Sequence, residues 1–293
     1  MAAEVPVSVA IPTIGRTDPL RRCLESLAAC APRAAEILVV DQSQDPAVAQ
    51  LVMEFAPAHA RLVPCDGVGP SKARNVGLHA AQNAIVALTD DDCIVSTDWV
   101  GTAWQLMERD SERIVTGRVL PAGDPRAVPS TREDTTPRDF TGTLEMGVLF
   151  SNNMVVDRSL TLAAGGFDER FQTAEDNDLC YRWLKAGRRL QFEPSLVVWH
   201  LDWRTHDELV RLYVRYMEGE GLLYAKHLLH GDLRMLRLIG RDVGWWLRAV
   251  AAAVVKGTPR WADPRRAILR GLPVGLWRGW REFRREDGRG VDV

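Results

Sequence analysis

Along the first hundred residues, short apolar runs alternate with amphipathic segments. Val7–Ile11, Ile37–Val40, Arg61–Val63 and Ile85–Leu88 are rich in Val, Ile and Leu, which predicts strands. Between the first two, Leu20, Cys23, Leu24 and Leu27 recur at helical spacing. That spacing predicts a helix capped by Asp18 with Pro19 in its first turn. A second helix is expected after Asp45 and a third after Pro70. Strands alternating with helices predict an α/β fold, with a mostly parallel sheet covered on both faces. In such sheets ligands collect beyond the carboxyl ends of the strands. Asp41 follows the run ILVV and Asp90–Asp92 follow IVALT, so two strands deliver carboxylates to one edge.

The pattern then loosens. Pro121–Thr143 is rich in Pro, Thr, Asp and Arg and reads as a long loop or flap, a class of segment that often carries function. An apolar run at Gly147–Phe150 and a turn at Gly165–Glu169 precede a helix predicted from Glu175 to Ala186, which Gly187 would end. From Thr205 onward the sequence is helical in pattern and rich in Arg and Trp. A boundary is therefore expected near 205, giving an α/β domain over 1–205 and a helical, basic C-terminal region over 206–293.

Composition narrows the class. With 46% hydrophobic and 26% charged residues, the chain has enough apolar material for a sizeable core, which excludes wholesale disorder. Five cysteines without a CxxC pair, behind an N-terminus lacking a basic leader, predict reduced thiols and a cytoplasmic location. No run reaches the roughly 18–20 apolar residues of a spanning helix. The net charge of −2 conceals a local +7 between Lys256 and Arg285, so the remainder carries about −9. Such an end suits an anionic partner. No nucleic-acid module is recognisable, whereas Trp245, Trp246, Trp261, Trp277 and Trp280 and the apolar run Ala249–Val255 suit a membrane interface. The competing reading is a helical subdomain with Trp as core filler. A peripheral place on the inner face of the cell membrane is thus one of two expectations for this region.

Three consecutive aspartates repel one another unless something neutralises them, and a hard divalent cation such as Mg²⁺ or Mn²⁺ would do so. In an extended segment Asp90 and Asp92 would point the same way and share such a ligand, with Asp91 pointing elsewhere. A solvated acidic turn is the alternative. Glu175-Asp176-Asn177-Asp178 opens a helix and exceeds what favourable placement at a helix start requires, so one acid is a candidate general base. Gly67–Asn75 (GVGPSKARN) could bring Lys72 and Arg74 to a diphosphate, although it lacks the spacing of a P-loop. His200, in VVWH, is on its own more often structural than a ligand.

Taken in order, VSVAIPTIGR, ILVVDQS, GPSKARNVGL, ALTDDDC followed by DW, SNNMVV, GGFDE and AEDNDLCYRWLKAG resemble glycosyltransferase family 2, the inverting enzymes of GT-A fold. The resemblance covers Val5 to Asp202. It implies a GT-A (Rossmann-like) mixed sheet and a metal-dependent hexosyl or deoxyhexosyl transfer. The donor would be a nucleotide-diphosphate sugar and the acceptor a hydroxyl of a glycan, a lipid-linked molecule or a small molecule, as in making cell-envelope polysaccharide. It implies that Asp90 and Asp92 hold Mn²⁺ or Mg²⁺ with His200, that Asp176 is the base, and that Asn153 and Glu175 lie on the acceptor side. Thr13, Arg16, Asp41, Arg74, Asp90 and Asp91 would then contact the nucleotide sugar. The stretch Asp41-Gln42-Ser43-Gln44 departs from the family's usual DNGS or DDGS. A non-catalytic nucleotide-sugar-binding protein is the alternative function, and an aspartate-based phosphatase would want an acid where Ile11-Pro12-Thr13 stand.

Overall fold

The structure is a computed structural model. It describes residues 3–125, 128, 130–142, 149–201, 205–255 and 266–287. The chain divides into two compact units, Met1–Arg170 with Glu175–Trp203, and Phe171–Ala174 with Arg204–Val293.

The first unit is a mixed α/β structure. Its strands are β1 (Glu4–Thr13), β2 (Arg33–Asp41), β3 (Ala60–Pro64), β4 (Ile85–Thr89), β5 (Cys93–Val95), β6 (Arg113–Ala122), β7 (Arg138–Phe140), β8 (Asn153–Asp157) and β9 (Arg189–Leu201). They form one sheet in the order β3-β2-β1-β4-β8-β6-β9-β5, with β7 also pairing β9. β3, β2, β1 and β4 run parallel, and β8 lies antiparallel to β4. The four predicted strands are these parallel ones. Val7, Val9, Ile11, Ile37, Val39, Val86 and Leu88 are buried along them, because helices cover the parallel part. Each such side chain contributes about 1.5–3 kcal/mol.

The helices are α1 (Thr17–Ala28), α2 (Pro46–Glu54), α3 (Pro70–Ala80), α4 (Trp99–Arg109), α5 (Arg158–Ala163) and α6 (Glu175–Lys185). Leu20, Cys23, Leu24 and Leu27 form the buried stripe of α1, as their spacing predicts. Its cap differs: Arg16 stands at the N-cap without a side-chain bond, and Asp18 lies inside the first turn. Asp45 does cap α2, accepting from the Ala47 N–H at 2.9 Å. Part of the stretch expected to be a loop is ordered into the sheet. Arg132 bridges to Val119, and β7 pairs with β9; residues 126, 127, 129 and 143–148 lie outside the described set.

The second unit contains α7 (His206–Leu229), α8 (Arg234–Val255) and α9 (Arg266–Asp287). A capping box starts α7: the Thr205 hydroxyl accepts from the Glu208 N–H, and the Glu208 carboxylate accepts from Thr205. α7 and α9 approach at glycines, and a Cβ on Gly275 would lie 2.0 Å from the Glu218 carbonyl oxygen. Phe171 packs on Phe283 with ring centroids 6.4 Å apart, and the Thr173 hydroxyl donates to the Arg215 carbonyl. Exposed apolar side chains recur on α8 (Leu236, Val243, Leu247, Val255) and α9 (Leu269, Trp277, Trp280). Trp203, Trp261 and the side chains of Trp245 and Trp246 lie outside the described residues. No helix among the described residues is long and apolar enough to cross a membrane.

Candidate active site

Thr13 ends β1 and Asp41 ends β2, and the two are register partners. Asp41 accepts from the Ser43 N–H (2.9 Å) and hydroxyl (2.6 Å), which tightens the turn leaving the strand. β4 ends at Thr89, and the aspartate triplet follows immediately.

The triplet is not extended. The Cys93 N–H donates to the Asp90 carbonyl at 3.1 Å, closing a tight turn. The alternation expected of Asp90 and Asp92 therefore fails, because a turn splays successive side chains instead of returning every second one to the same face. Asp91 and Asp92 are instead joined by one guanidinium. Arg16 donates to both Asp91 oxygens and, at 3.0 Å, to Asp92 Oδ2. The Thr13 hydroxyl adds a 2.7 Å bond to Asp91. Asp91 is fully buried, and burial pushes its carboxyl up to about 7 against the pull of Arg16.

Asp92 faces a second partner. His200 Nε2 lies 3.3 Å from Asp92 Oδ1, because β5 pairs antiparallel with β9 and sets Cys93 opposite His200. Asp92, Cys93 and His200 each offer a ligand atom, all within 4.8 Å of one another. The carboxylate and the imidazole suit Mn²⁺, which accepts nitrogen more readily than Mg²⁺ does. Asp90 is not part of this group: it accepts from Arg74 Nη2 at 2.7 Å and is partly exposed.

Arg74 links the triplet to the start of α6. Its Nη1 donates to Glu175 Oε1 at 2.7 Å, while its guanidinium stands 5.8 Å from the Phe167 ring centroid. Burial opposes the charge on Arg74, but Asp90 and Glu175 more than offset it and raise its pKa. Burial, then the charge of Asp176, push Glu175 up to about 7 despite Arg74. Burial also raises Asp176, opposed by Arg74 and by two N–H donors. The Ser151 N–H (3.1 Å) and hydroxyl (3.3 Å) donate to Asp176 Oδ2, and the Asn177 N–H to Oδ1 (2.8 Å).

The structure thus gathers Thr13, Arg16, Asp91, Asp92 and His200 in one chain of contacts, and Asp90, Arg74 and Glu175 in another. Asn153 joins neither. Its amide accepts from Trp99 Nε1 (2.9 Å) and donates to the Arg118 and Leu196 carbonyls (2.8 and 2.9 Å), tying α4, β6 and β9 together. Ser151 was not singled out by sequence, although it opens the quoted SNNMVV stretch. Asn75 was missed as well. Its side chain bonds the Phe167 N–H and carbonyl, and a Cβ on Gly166 (φ +60°) would meet Asn75 Oδ1 at 2.6 Å, so the GGFDE turn requires that glycine.

The profile of the family described as "Glycosyltransferase like family 2" matches residues 5–219. The chain belongs to glycosyltransferase family 2. This family member is 30% identical over 215 residues to the pre-mycofactocin glycosyltransferase of Mycobacterium tuberculosis, a match covering 68% of this chain and 43% of the relative. The chain therefore spans less than half the length of that relative. It is 23% identical to glycosyltransferase AglE of Haloferax volcanii, with 75% of each chain covered. Among solved structures it resembles the mannosyltransferase PcManGT of Pyrobaculum calidifontis in complex with GDP-Man and Mn²⁺ (TM-score 0.65, 17% identity, 93% of this chain and 87% of that one). It also resembles S. aureus TarS in complex with UDP-GlcNAc (TM-score 0.58, 15% identity, 96% and 92% covered). These likenesses show a GT-A-like fold for this chain.

Proposed function

We propose that this glycosyltransferase is a metal-dependent, inverting enzyme that moves a hexosyl or deoxyhexosyl group from a nucleoside-diphosphate sugar to an acceptor hydroxyl. The observation that carries the reading is the position of Arg74, which spans Asp90 at the sheet edge and Glu175 beside Asp176. One guanidinium thereby connects one donor-side carboxylate, Asp90, with the residue preceding the candidate base.

Asp176 accepts the acceptor's proton as that oxygen bonds to the anomeric carbon. The bond from that carbon to the diphosphate oxygen breaks on the opposite face, which inverts the configuration. Burial raises the proton affinity of Asp176, which helps a base. The Ser151 and Asn177 donors fix its two oxygens and oppose that rise. Glu175 acts through Arg74 as a positioning group, not as an acceptor contact. Asp41 and Thr13 stand where a nucleoside would lie beyond β1 and β2, and Arg16 and Arg74 supply positive charge toward the diphosphate. When bound at Asp92 and His200, with Asp90 nearby, Mn²⁺ or Mg²⁺ would stabilise the charge developing on the leaving diphosphate.

The direct test is a panel of GDP-, UDP- and dTDP-sugars scored by thermal shift and by nucleoside-diphosphate release, with Mn²⁺ and with chelator. Stabilisation by one donor that requires metal, with release stimulated by an acceptor hydroxyl, supports the reading. Binding without any release would favour a non-catalytic sugar-nucleotide module.

A membrane-surface role for the helical unit is supported by the exposed Trp277 and Trp280. Arg281 and Arg284 stack on them at 4.5 and 4.7 Å, a pairing suited to anionic headgroups. Sedimentation with anionic but not neutral liposomes at low salt is the expected result. No sedimentation would return these residues to a purely structural part.

A further inference from the structure

Asp92, Cys93 and His200 present a carboxylate oxygen, a thiol sulfur and an imidazole nitrogen within 4.8 Å of one another. Register sets the thiol there. Cys93 and His200 are direct partners in the β5–β9 ladder, so their side chains leave the same face of the sheet. The turn that precedes β5 carries Asp92 to the same place. All three are buried, and among the described residues theirs is the sole group of three or more such side chains that could hold an ion.

A hard ion has no use for the sulfur. Mg²⁺ selects oxygen ligands, and Mn²⁺ tolerates imidazole, whereas thiolate together with imidazole and carboxylate is the donor set of tetrahedral Zn²⁺. Divalent affinities also rise from Mn²⁺ toward Zn²⁺ in a mixed nitrogen, oxygen and sulfur site.

We propose that Asp92, Cys93 and His200 form a thiophilic site that takes Zn²⁺ in place of the activating ion, making Zn²⁺ a competitive inhibitor of this transferase. The inference rests on the proposed metal site and adds Cys93 to it. The Cys93 sulfur bonds to the ion as the thiol proton leaves to solvent, and Asp92 and His200 complete three of four positions. The fourth is open to water or to an oxygen of the substrate. A zinc ion held in four-coordinate geometry does not offer the open octahedral positions that a diphosphate takes on Mn²⁺ or Mg²⁺.

The competing account is that Cys93 only fills the core, where it packs in one cluster with Val95, Trp99 and Cys23. Cobalt separates the two. The metal-free full chain is titrated with Co²⁺ alone, then back-titrated with Zn²⁺, while Mn²⁺ binding is followed independently by its electron paramagnetic resonance. The expected result is a near-ultraviolet thiolate-to-Co²⁺ charge-transfer band that Zn²⁺ abolishes. In Cys93→Ala and Cys93→Ser the band should vanish and Zn²⁺ affinity should fall by more than the roughly 10–100-fold typical of losing an outer-shell partner. Mn²⁺ binding should persist in both variants. Co²⁺ binding without the band, or a band that survives in Cys93→Ala, overturns the thiol assignment while leaving the metal site standing. Failure of Mn²⁺ and Co²⁺ alike to bind overturns both. The band on the unmodified protein needs no variant to fold.

Discussion

Arg74→Met removes the guanidinium between Asp90 and Glu175 while keeping a long apolar stem. Asp90 is partly exposed and can be rehydrated, so its loss is small. Glu175 is buried and loses the partner that holds its charge. Breaking a buried pair from one side costs about 3–5 kcal/mol when the remaining charge must stay ionised. Protonation offers Glu175 an escape, and this makes the penalty depend on pH. A carboxyl whose folded pKa is raised contributes stability that is complete below its unfolded value and is lost as pH rises through the folded value. In the parent protein that loss runs from 4.5 and ends near 7, where Glu175 ionises against Arg74. Without Arg74 the folded value moves higher and the loss continues. Each further pH unit then adds about 1.4 kcal/mol to the gap between variant and parent. Urea unfolding at about pH 6 and about pH 9 should therefore show a penalty larger at the higher pH by roughly 2–3 kcal/mol. A penalty equal at both values, or larger in acid, would refute the claim that Arg74 exists to hold a buried charge.

Asp92→Ala should lose metal-dependent nucleotide binding, measured by calorimetric titration with and without Mn²⁺; unchanged isotherms would remove Asp92 from the metal site. Arg16→Met should weaken the ligand-free fold through Asp91, yet raise affinity for Mn²⁺ alone, since the competing guanidinium is gone; lower Mn²⁺ affinity would contradict that. In the helical unit, Gly275→Ala places a methyl against backbone, with 2.0 Å to the Glu218 oxygen. Its cost should be about 1–3 kcal/mol in chemical denaturation, and a neutral result would show that α7 and α9 can part without penalty.

The sequence made the parallel half of the sheet readable because β1, β2 and β4 are buried on both faces and carry apolar runs dominated by Val, Ile, Leu and Ala. The other half hides for physical reasons. β6 contains Gly117 and Pro121, β9 contains Pro194, and their pairing shifts register at Gly117/Arg118. A Cβ at Gly117 would lie 2.0 Å from the Leu196 carbonyl, so packing demands the residue that weakens the strand pattern. The site divides similarly. The positions of Asp41 and Asp176 followed from strand ends and a helix start. The partition of Asp90, Asp91 and Asp92 between two arginines did not, because it depends on a turn closed by one backbone bond. Asn153 lay in a matching motif, but its three hydrogen bonds serve the sheet. Ser151 acts on Asp176 through its backbone N–H as well as its hydroxyl, and the backbone half of that role leaves no mark in side-chain chemistry.

The central claim is that Asp176 removes the acceptor's proton in a site whose donor grip lies elsewhere. Asp176→Asn keeps the size and an acceptor oxygen for the Asn177 N–H, and puts an amide NH2 in place of the basic oxygen that accepts from Ser151. With the donor identified from the nucleotide-sugar panel, its affinity in the variant should stay within about threefold of the parent, while transfer falls by at least the 10²–10⁴-fold that general-base catalysis contributes. Transfer that continues at near-parental rate, or donor binding that collapses with it, would contradict the account.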